Sequence, residues 1–333
     1  MITPTAVTAV ILNYRGAENT IACLRCLYDM PDPPGRIFVV DNHSQDGSAD
    51  IIFHAWQSMG KSVLSVLKGE EGEVAGDAVL LRLAANDGYA AGNNVGISLA
   101  LQAPSCRAVW ILNNDTLPKA ASLTALCDRL NSSLEIGMVG STLVNEYTWD
   151  NIQCAGGYTF NIWLGTTKPL MGKHSLRDLD AVNSYEIEKR IGYICGASAL
   201  IRREVFARCG LFNEEYFLYY EDVDYGLKVR DAGYALAWAK ESVILHKEGG
   251  STKSSLGSEK PCWVDYLSLR NRVWFIKKYY FFALPVLCVS YIGVTLIRIR
   301  RGQISRIGIV WEAFCDGLFG RMGKPSIFTR EAR

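Results

Sequence analysis

Short apolar runs that end in a polar residue recur through the first third of the chain. Residues 7–12, 37–40, 62–67, 79–83 and 109–112 read as strands, and the helical patterns at 17–28, 49–59 and 89–101 read as helices between them. Pro31, Pro33, Pro34 and Gly35 stop the first helix. Residues 68–77, acidic and glycine-rich, read as an exposed loop. Strands and helices in alternation predict an α/β fold with a mostly parallel sheet and helices on both faces. Ligands of such sheets gather beyond the carboxyl ends of the strands. Tyr14, Asp41 and Asp115 each follow an apolar strand, so they are expected to line one crevice.

The second half is less regular. Residues 138–144 and 191–201 predict strands, and 201–209 and 221–232 predict helices, the latter closed by Gly233. Two short strands follow at 235–239 and 243–245, the second running into His246. Residues 279–297 form a 19-residue stretch without a charge, flanked by Lys277, Lys278, Arg298, Arg300 and Arg301. That length is borderline for crossing a bilayer. Pro285 and Gly293 interrupt it, so a helix lying in the interface, or a hairpin with residues 304–318, fits as well as a span. A buried helix of an oligomer is a third reading. The division expected is a catalytic domain over 1–260, with halves of about 1–116 and 117–260, and a helical region over 261–333.

Composition sharpens this picture at three points. At 49% hydrophobic the chain can bury a core and is not disordered. The net charge of +1 hides an asymmetry: residues 270–333 hold 12 Lys/Arg against three Asp/Glu, +9, leaving −8 on the rest. A basic tail on an acidic body predicts an anionic partner for the tail, here a membrane surface. The acidic body, lacking a basic aromatic face, speaks against nucleic acid. The N-terminus has no basic n-region or signal cleavage site, which predicts a cytoplasmic protein with its ten cysteines reduced. Cys23 and Cys26 form a CxxC without a second pair at zinc spacing, and read as neighbours on a helix face.

Acidic side chains carry the candidate chemistry. Glu221, Asp222 and Asp224 crowd the start of a helix behind four apolar or aromatic residues, 217–220. They could simply favour the helix dipole, but burial beside aromatics would raise their pKa and suit one of them to act as a base. Asp115 ends the run NND at 113–115 and could hold Mg²⁺ or Mn²⁺ if a diphosphate supplied further oxygens; a helix cap is the plainer reading. Asp41 could accept the imino N–H of uracil or thymine, or merely form a turn. The segment 86–94, NDGYAAGNN, opens a helix with glycines that allow close backbone approach, and a helix N-terminus favours phosphate. His246 is either structural or a ligand better suited to Mn²⁺ than to Mg²⁺.

Taken together and in this order, the segments 10–14, 39–48, 86–94, 112–116, 192–200, 221–224 and His246 resemble the family 2 glycosyltransferases with the GT-A fold, over about residues 6–275. The likeness is to the bacterial rhamnosyltransferase-type and galactofuranosyltransferase-type enzymes. It implies an inverting transfer from a dTDP- or UDP-sugar, dTDP-L-rhamnose foremost, to a glycan or lipid-linked glycan acceptor of surface polysaccharide. The resemblance assigns Asp222 as general base with Glu221 beside it. It places Asn13, Tyr14, Asp41, Asn86, Gly88, Asn93 and Asn114 at the donor nucleotide. Gly196, Ala197 and Ser198 would meet the acceptor, and Asp115 and His246 would hold a divalent metal. The expected location is the inner face of the cytoplasmic membrane, with a homo-oligomer left open. Two alternatives stand beside it: a sugar-nucleotide pyrophosphorylase, whose glycine-rich basic loop is missing after the first strand, and a non-catalytic glycan-binding or scaffold protein.

Overall fold

The computed structural model describes residues 1–69, 76–247 and 261–326. Most of the acidic loop expected at 68–77, and the segment after Lys247, lie outside the described residues. The first half follows the expected alternation: β1 (Val7–Asn13), α1 (Ala17–Tyr28), β2 (Arg36–Asp41), α2 (Ser48–Ser58), β3 (Val63–Leu67), β4 (Ala78–Arg82), α3 (Tyr89–Gln102) and β5 (Ala108–Asn113). Beyond it come β6 (Thr116–Pro118), α4 (Ser122–Asn131), β7 (Ile136–Asn145), β8 (Ile152–Ala155), β9 (Gly157–Asn161), β10 (Thr166–Pro169), α5 (Ser184–Glu188), β11 (Tyr193–Ile194), β12 (Ser198–Arg202), α6 (Arg203–Cys209), α7 (Glu221–Asp231) and β13 (Ala235–His246). Three helices close the described chain: α8 (Cys262–Tyr279), α9 (Leu284–Arg300) and α10 (Ile307–Phe319).

One ten-stranded sheet runs β3-β4-β2-β1-β5-β12-β7-β13-β6, with β8 paired to β7. Strands β3, β4, β2, β1 and β5 are parallel neighbours, as are β7 and β13; β12, β6 and β8 are antiparallel to their partners. Side chains alternate across this sheet with period two. Ala9 and Ile11 of β1 face the layer of α1, α2 and α4, whereas Val10 faces α3, α6 and α7. Continuous apolar sequence in β1 and β5 is what a strand covered on both faces requires.

Several expectations need correction. The strand expected at 191–201 is two short strands that belong to different sheets, broken at Cys195, Gly196 and Ala197. The strands expected at 235–239 and 243–245 are one strand, irregular in its pairing with β7 between Ala239 and Val243. Its polar Lys240 and Glu241 mimic a break in the sequence pattern. Gly92, expected to approach a ligand, packs α3 onto the sheet instead: a Cβ there would lie 2.4 Å from Leu12 Cδ1.

Candidate active site

Four parallel strands end on one side of the sheet, in the register Asn13↔Asp41, Asp41↔Arg82 and Leu12↔Asn113. Their following residues, the break before β12 and the start of α7 enclose a cleft of about 310 Å³. Tyr14, Asn86, Gly88, Asn114, Asp115, Gly196, Ala197, Glu221, Asp222 and His246 all line it. Asn13, Asp41, Asn93 and Ser198 do not. Asn13 donates to Asp41 Oδ1 at 2.7 Å and accepts from Thr20 and Asn114 at 2.8 and 3.3 Å. Asp41 also accepts from the Ser44 hydroxyl at 2.6 Å and its N–H at 3.1 Å. Asn93 donates to Tyr89 O, and Ser198 accepts from Trp110 Nε1 inside the sheet. These polar groups are buried and bonded, as burial requires, save Asn93 Oδ1, which has no hydrogen-bond partner among the described residues.

The three acidic residues of α7 have different surroundings. Asp224 is fully buried, accepts from Tyr279 Oη at 2.7 Å and pairs with Lys228 at 2.8 Å, which makes it a tie between α7 and α8. Asp222 borders the cleft and accepts from Val223 N at 2.9 Å; a Cβ on Gly196 would sit 3.8 Å from its Oδ2. Burial pushes its carboxyl up to about 6, against the opposing pull of the Val223 and Gly196 N–H groups. Burial, with the Asp222 charge beside it, raises Glu221 well above the usual carboxylate range. Glu221 Oε2 is buried with no hydrogen-bond partner among the described residues.

The loop that delivers α7 is strained. Phe217, Tyr219 and Tyr220 all have positive φ, between 65° and 75°, a region that costs a bulky residue about 1–3 kcal/mol. Two devices hold it. Gly88, at φ 104°, lets the Tyr89 N–H donate to Phe217 O at 2.6 Å, where a Cβ would lie 2.2 Å from that oxygen. Asn271 of α8 donates to Tyr216 O, Leu218 O and Tyr219 O at 2.8–3.0 Å. Sequence reading had no signal for Asn271, an unremarkable polar position in a mixed helix.

On the other wall, β6 pairs with β13 so that Thr116 faces His246, which brings Asp115 Oδ1 to 3.4 Å from His246 Nε2. Gln153 of β8 fixes the ring. Its Nε2 donates to His246 O at 2.9 Å, which turns its Oε1 to Nδ1 at 2.7 Å. Nδ1 is then the donor, and in the neutral ring Nε2 presents its lone pair toward the carboxylate. An imidazole nitrogen and a carboxylate so arranged are a donor set that suits a transition-type divalent cation, with the outer hydrogen bond that metal-binding histidines usually make. No group of three or more His, Cys, Asp or Glu that could hold a metal is assembled among the described residues. Tyr89, Cys195, Trp263 and Asn42 also line the cleft; Tyr89 Oη donates toward Asn113 Oδ1 and Gly196 O, both at 2.9 Å.

Comparison with known proteins agrees with this architecture. The archaeal mannosyltransferase PcManGT from Pyrobaculum calidifontis, solved with GDP-Man and Mn²⁺, superposes with a TM-score of 0.54 at 15% identity, over 96% of this chain and 90% of that one. The low-salt glycan biosynthesis hexosyltransferase Agl10 of Haloferax volcanii is 21% identical over 266 residues, 79% of this chain and 73% of that protein. An N-acetylglucosaminyl-diphospho-decaprenol L-rhamnosyltransferase of Mycobacterium tuberculosis is 37% identical over 65 residues, which span 20% of this chain and 21% of that enzyme. Residues 4–265 match the family described as Glycosyltransferase like family 2. With that match over most of its length and a GT-A sheet beneath the cleft, the chain belongs to glycosyltransferase family 2.

Proposed function

We propose that this protein is an inverting enzyme that transfers a sugar from a nucleoside-diphosphate sugar to a glycan or lipid-linked glycan of the cell surface, at the inner face of the cytoplasmic membrane. dTDP-L-rhamnose is the leading donor, supported by the similarity to the mycobacterial rhamnosyltransferase; a UDP-sugar, such as a galactofuranose donor, is second. The observation that carries the reading is that Asp222, held up to about 6, shares one cleft with the Asp115 and His246 pair.

Asp222 takes the proton of the acceptor hydroxyl as that oxygen attacks the anomeric carbon. The bond from that carbon to the diphosphate breaks on the opposite face, and the nucleoside diphosphate leaves. A base with a pKa near 6 is mostly ionised at neutral pH and still a competent proton acceptor. Glu221, its carboxyl raised by burial and by the Asp222 charge, stands beside the base on the same helix turn. Gly196 and Ala197 leave room for the acceptor beside Asp222. Asp115 and His246 would hold Mg²⁺ or Mn²⁺, with Gln153 holding the His246 ring in place. When bound, the cation supplies Lewis-acid neutralisation of the departing diphosphate. Tyr14 and Trp263 offer aromatic faces to the nucleobase and Asn42 and Asn86 offer amides, while Asp41 stands behind the cleft wall, bonded to Asn13 and Ser44.

Calorimetric titration with UDP, dTDP, GDP and CDP, with and without Mn²⁺ or Mg²⁺, tests this. Metal-dependent binding of dTDP or UDP alone is the expected result. Failure of every nucleotide to bind under either metal overturns the reading.

A further inference from the structure

Helix α9 is apolar on both sides, yet only one side is covered. Leu284, Leu287 and Tyr291 pack inward with Val310 and Phe314. Three ties lay the helix antiparallel along α8: Tyr291 Oη donates to Leu269 O at 2.6 Å, Arg272 Nη2 to Ser290 Oγ at 2.9 Å, and Arg298 pairs with Asp265 at 2.9 Å. The outward side carries Val286, Val289, Ile292 and Leu296 at helical spacing, 42–68% exposed. Phe281 and Phe282, 70% and 58% exposed, extend this stripe at the N-terminal end, where Phe282 meets Trp163 edge-on at 5.3 Å. Trp163 comes from the turn between β9 and β10, over a hundred residues away. At the other end stand the exposed Arg300 and Arg301.

We infer that this composite face, made by α9, the turn before it and the tip of the β9–β10 hairpin, docks on an anionic bilayer surface. A continuous apolar stripe without a charge from 279 to 297, edged by aromatics at one end and arginines at the other, is the pattern of a helix lying at the headgroup boundary. The segment Phe281–Arg300 is long and apolar enough to cross a membrane, and only 22% of its most apolar window is buried. Its ties to α8 argue for lying flat: a span would drag Asp265, Arg270 and Arg272 toward the hydrocarbon.

The face is joined directly to the site. Gly165, two residues past Trp163, accepts from Tyr220 Oη at 2.5 Å, and Tyr220 is the residue before Glu221 and Asp222. Docking here presents the Asp222 side of the cleft to a lipid-anchored acceptor at the bilayer surface. This last step rests on the acceptor reading above; the docking itself does not.

Flotation of the full chain with phosphatidylcholine vesicles, with and without phosphatidylglycerol, tests the face. The wild type should float with the anionic vesicles. Phe281→Ser/Phe282→Ser/Val289→Ser should lower the bound fraction about tenfold or more, Trp163→Ser less, while nucleotide binding by calorimetry stays unchanged in both. Arg300→Glu/Arg301→Glu should remove the preference for anionic vesicles. A wild type that stays in solution with both vesicle types, or a triple variant that floats equally well, overturns the proposal. So does a wild-type dimer that the triple variant dissolves, since that assigns the face to a second copy. Flotation without transfer to a lipid-linked acceptor would sink the acceptor reading alone.

Discussion

At the scale of single residues, Asp222 ties chemistry to stability. Its folded-state pKa of about 6 lies above the ordinary 3.8, so the folded chain holds its proton to higher pH than the unfolded chain does. The folded state therefore loses stability as pH rises through that window; the loss is complete above about 6 and absent below about 4. Asp222→Asn should abolish transfer, leave nucleotide affinity within about twofold, and gain on the order of 2 kcal/mol of stability at neutral pH. Thermal melts of the two proteins from pH 4 to pH 8 check this: the curves should converge at the acid end, and a gap independent of pH would refute the burial argument. In the wild type, transfer should fall as pH drops through about 6. A second prediction concerns Gln153, which the sequence pattern did not mark. It stands on a short strand with no motif, and only the fold brings it to His246. Gln153→Leu should weaken Mn²⁺ binding in the presence of nucleotide about 10- to 100-fold, measured by calorimetry, with little change in the melting temperature. The other site residues divide by type. Asp115, His246 and Asp222 each had a plain reading by residue type; the resemblance set them together, and the structure brings all three to one cleft. Asn13, Asn93 and Ser198 look alike in sequence whether they meet a ligand or satisfy buried neighbours.

At the scale of elements, legibility followed coverage. Strands β1, β2, β4 and β5 are covered on both faces, and their unbroken apolar runs announced them. Strand β6 has three residues and exists because β13 pairs with it from far along the chain, so no local pattern could reveal it. The hairpin of β9 and β10 pairs locally, but its mixed polar and aromatic residues do not alternate, so it left no strand pattern in the sequence. The loop 217–220 was read as a run of apolar residues that would bury the acids, and it does; its strain was invisible. That strain generates a third prediction. Gly88→Ala places a Cβ 2.2 Å from Phe217 O, so the backbone must part and the Tyr89 to Phe217 hydrogen bond must break. The loop should relax, moving Asp222 relative to Gly196. The expected cost is about 2–3 kcal/mol of stability with a larger fall in kcat than in donor affinity. Asn271→Ala should do the same from the other side by baring three carbonyls. Equal losses in kcat and in donor affinity for both variants would mean that the loop serves the donor site rather than the base.

At the scale of the whole molecule, the three C-terminal helices support the cleft wall that carries Asp222 as well as carrying the apolar face. Asp224 is buried at the centre of that contact, and Tyr279 and Lys278 of α8 supply two of its partners, at 2.7 and 3.4 Å. Arg270 donates to Tyr216 O at 3.1 Å, and Tyr216 and Val223 share a core with Val273, Phe275 and Ile276. A chain ending at residue 260 would leave that core open to water and take two partners from Asp224, which would keep only Lys228 and Tyr216 among the described residues. Such a chain should show no cooperative melt in near-ultraviolet circular dichroism. A chain ending at Phe319 tests a smaller step. It keeps α8, α9 and α10 but removes the Gly323 N–H that donates to Glu215 O at 2.7 Å and the Lys324 ammonium that donates to Asn86 O at 3.0 Å. Asn86 lines the cleft, so the segment after α10 reaches back across the molecule to it. The shorter chain should fold, melt a few degrees lower, and bind nucleoside diphosphate about 2- to 5-fold more weakly, because an exposed ammonium such as that of Lys324 adds at most about 1 kcal/mol. Lys324→Met in the full chain separates the two effects: the same loss of affinity with an unchanged melting temperature assigns it to the ammonium, and full affinity assigns it to the fold of the tail.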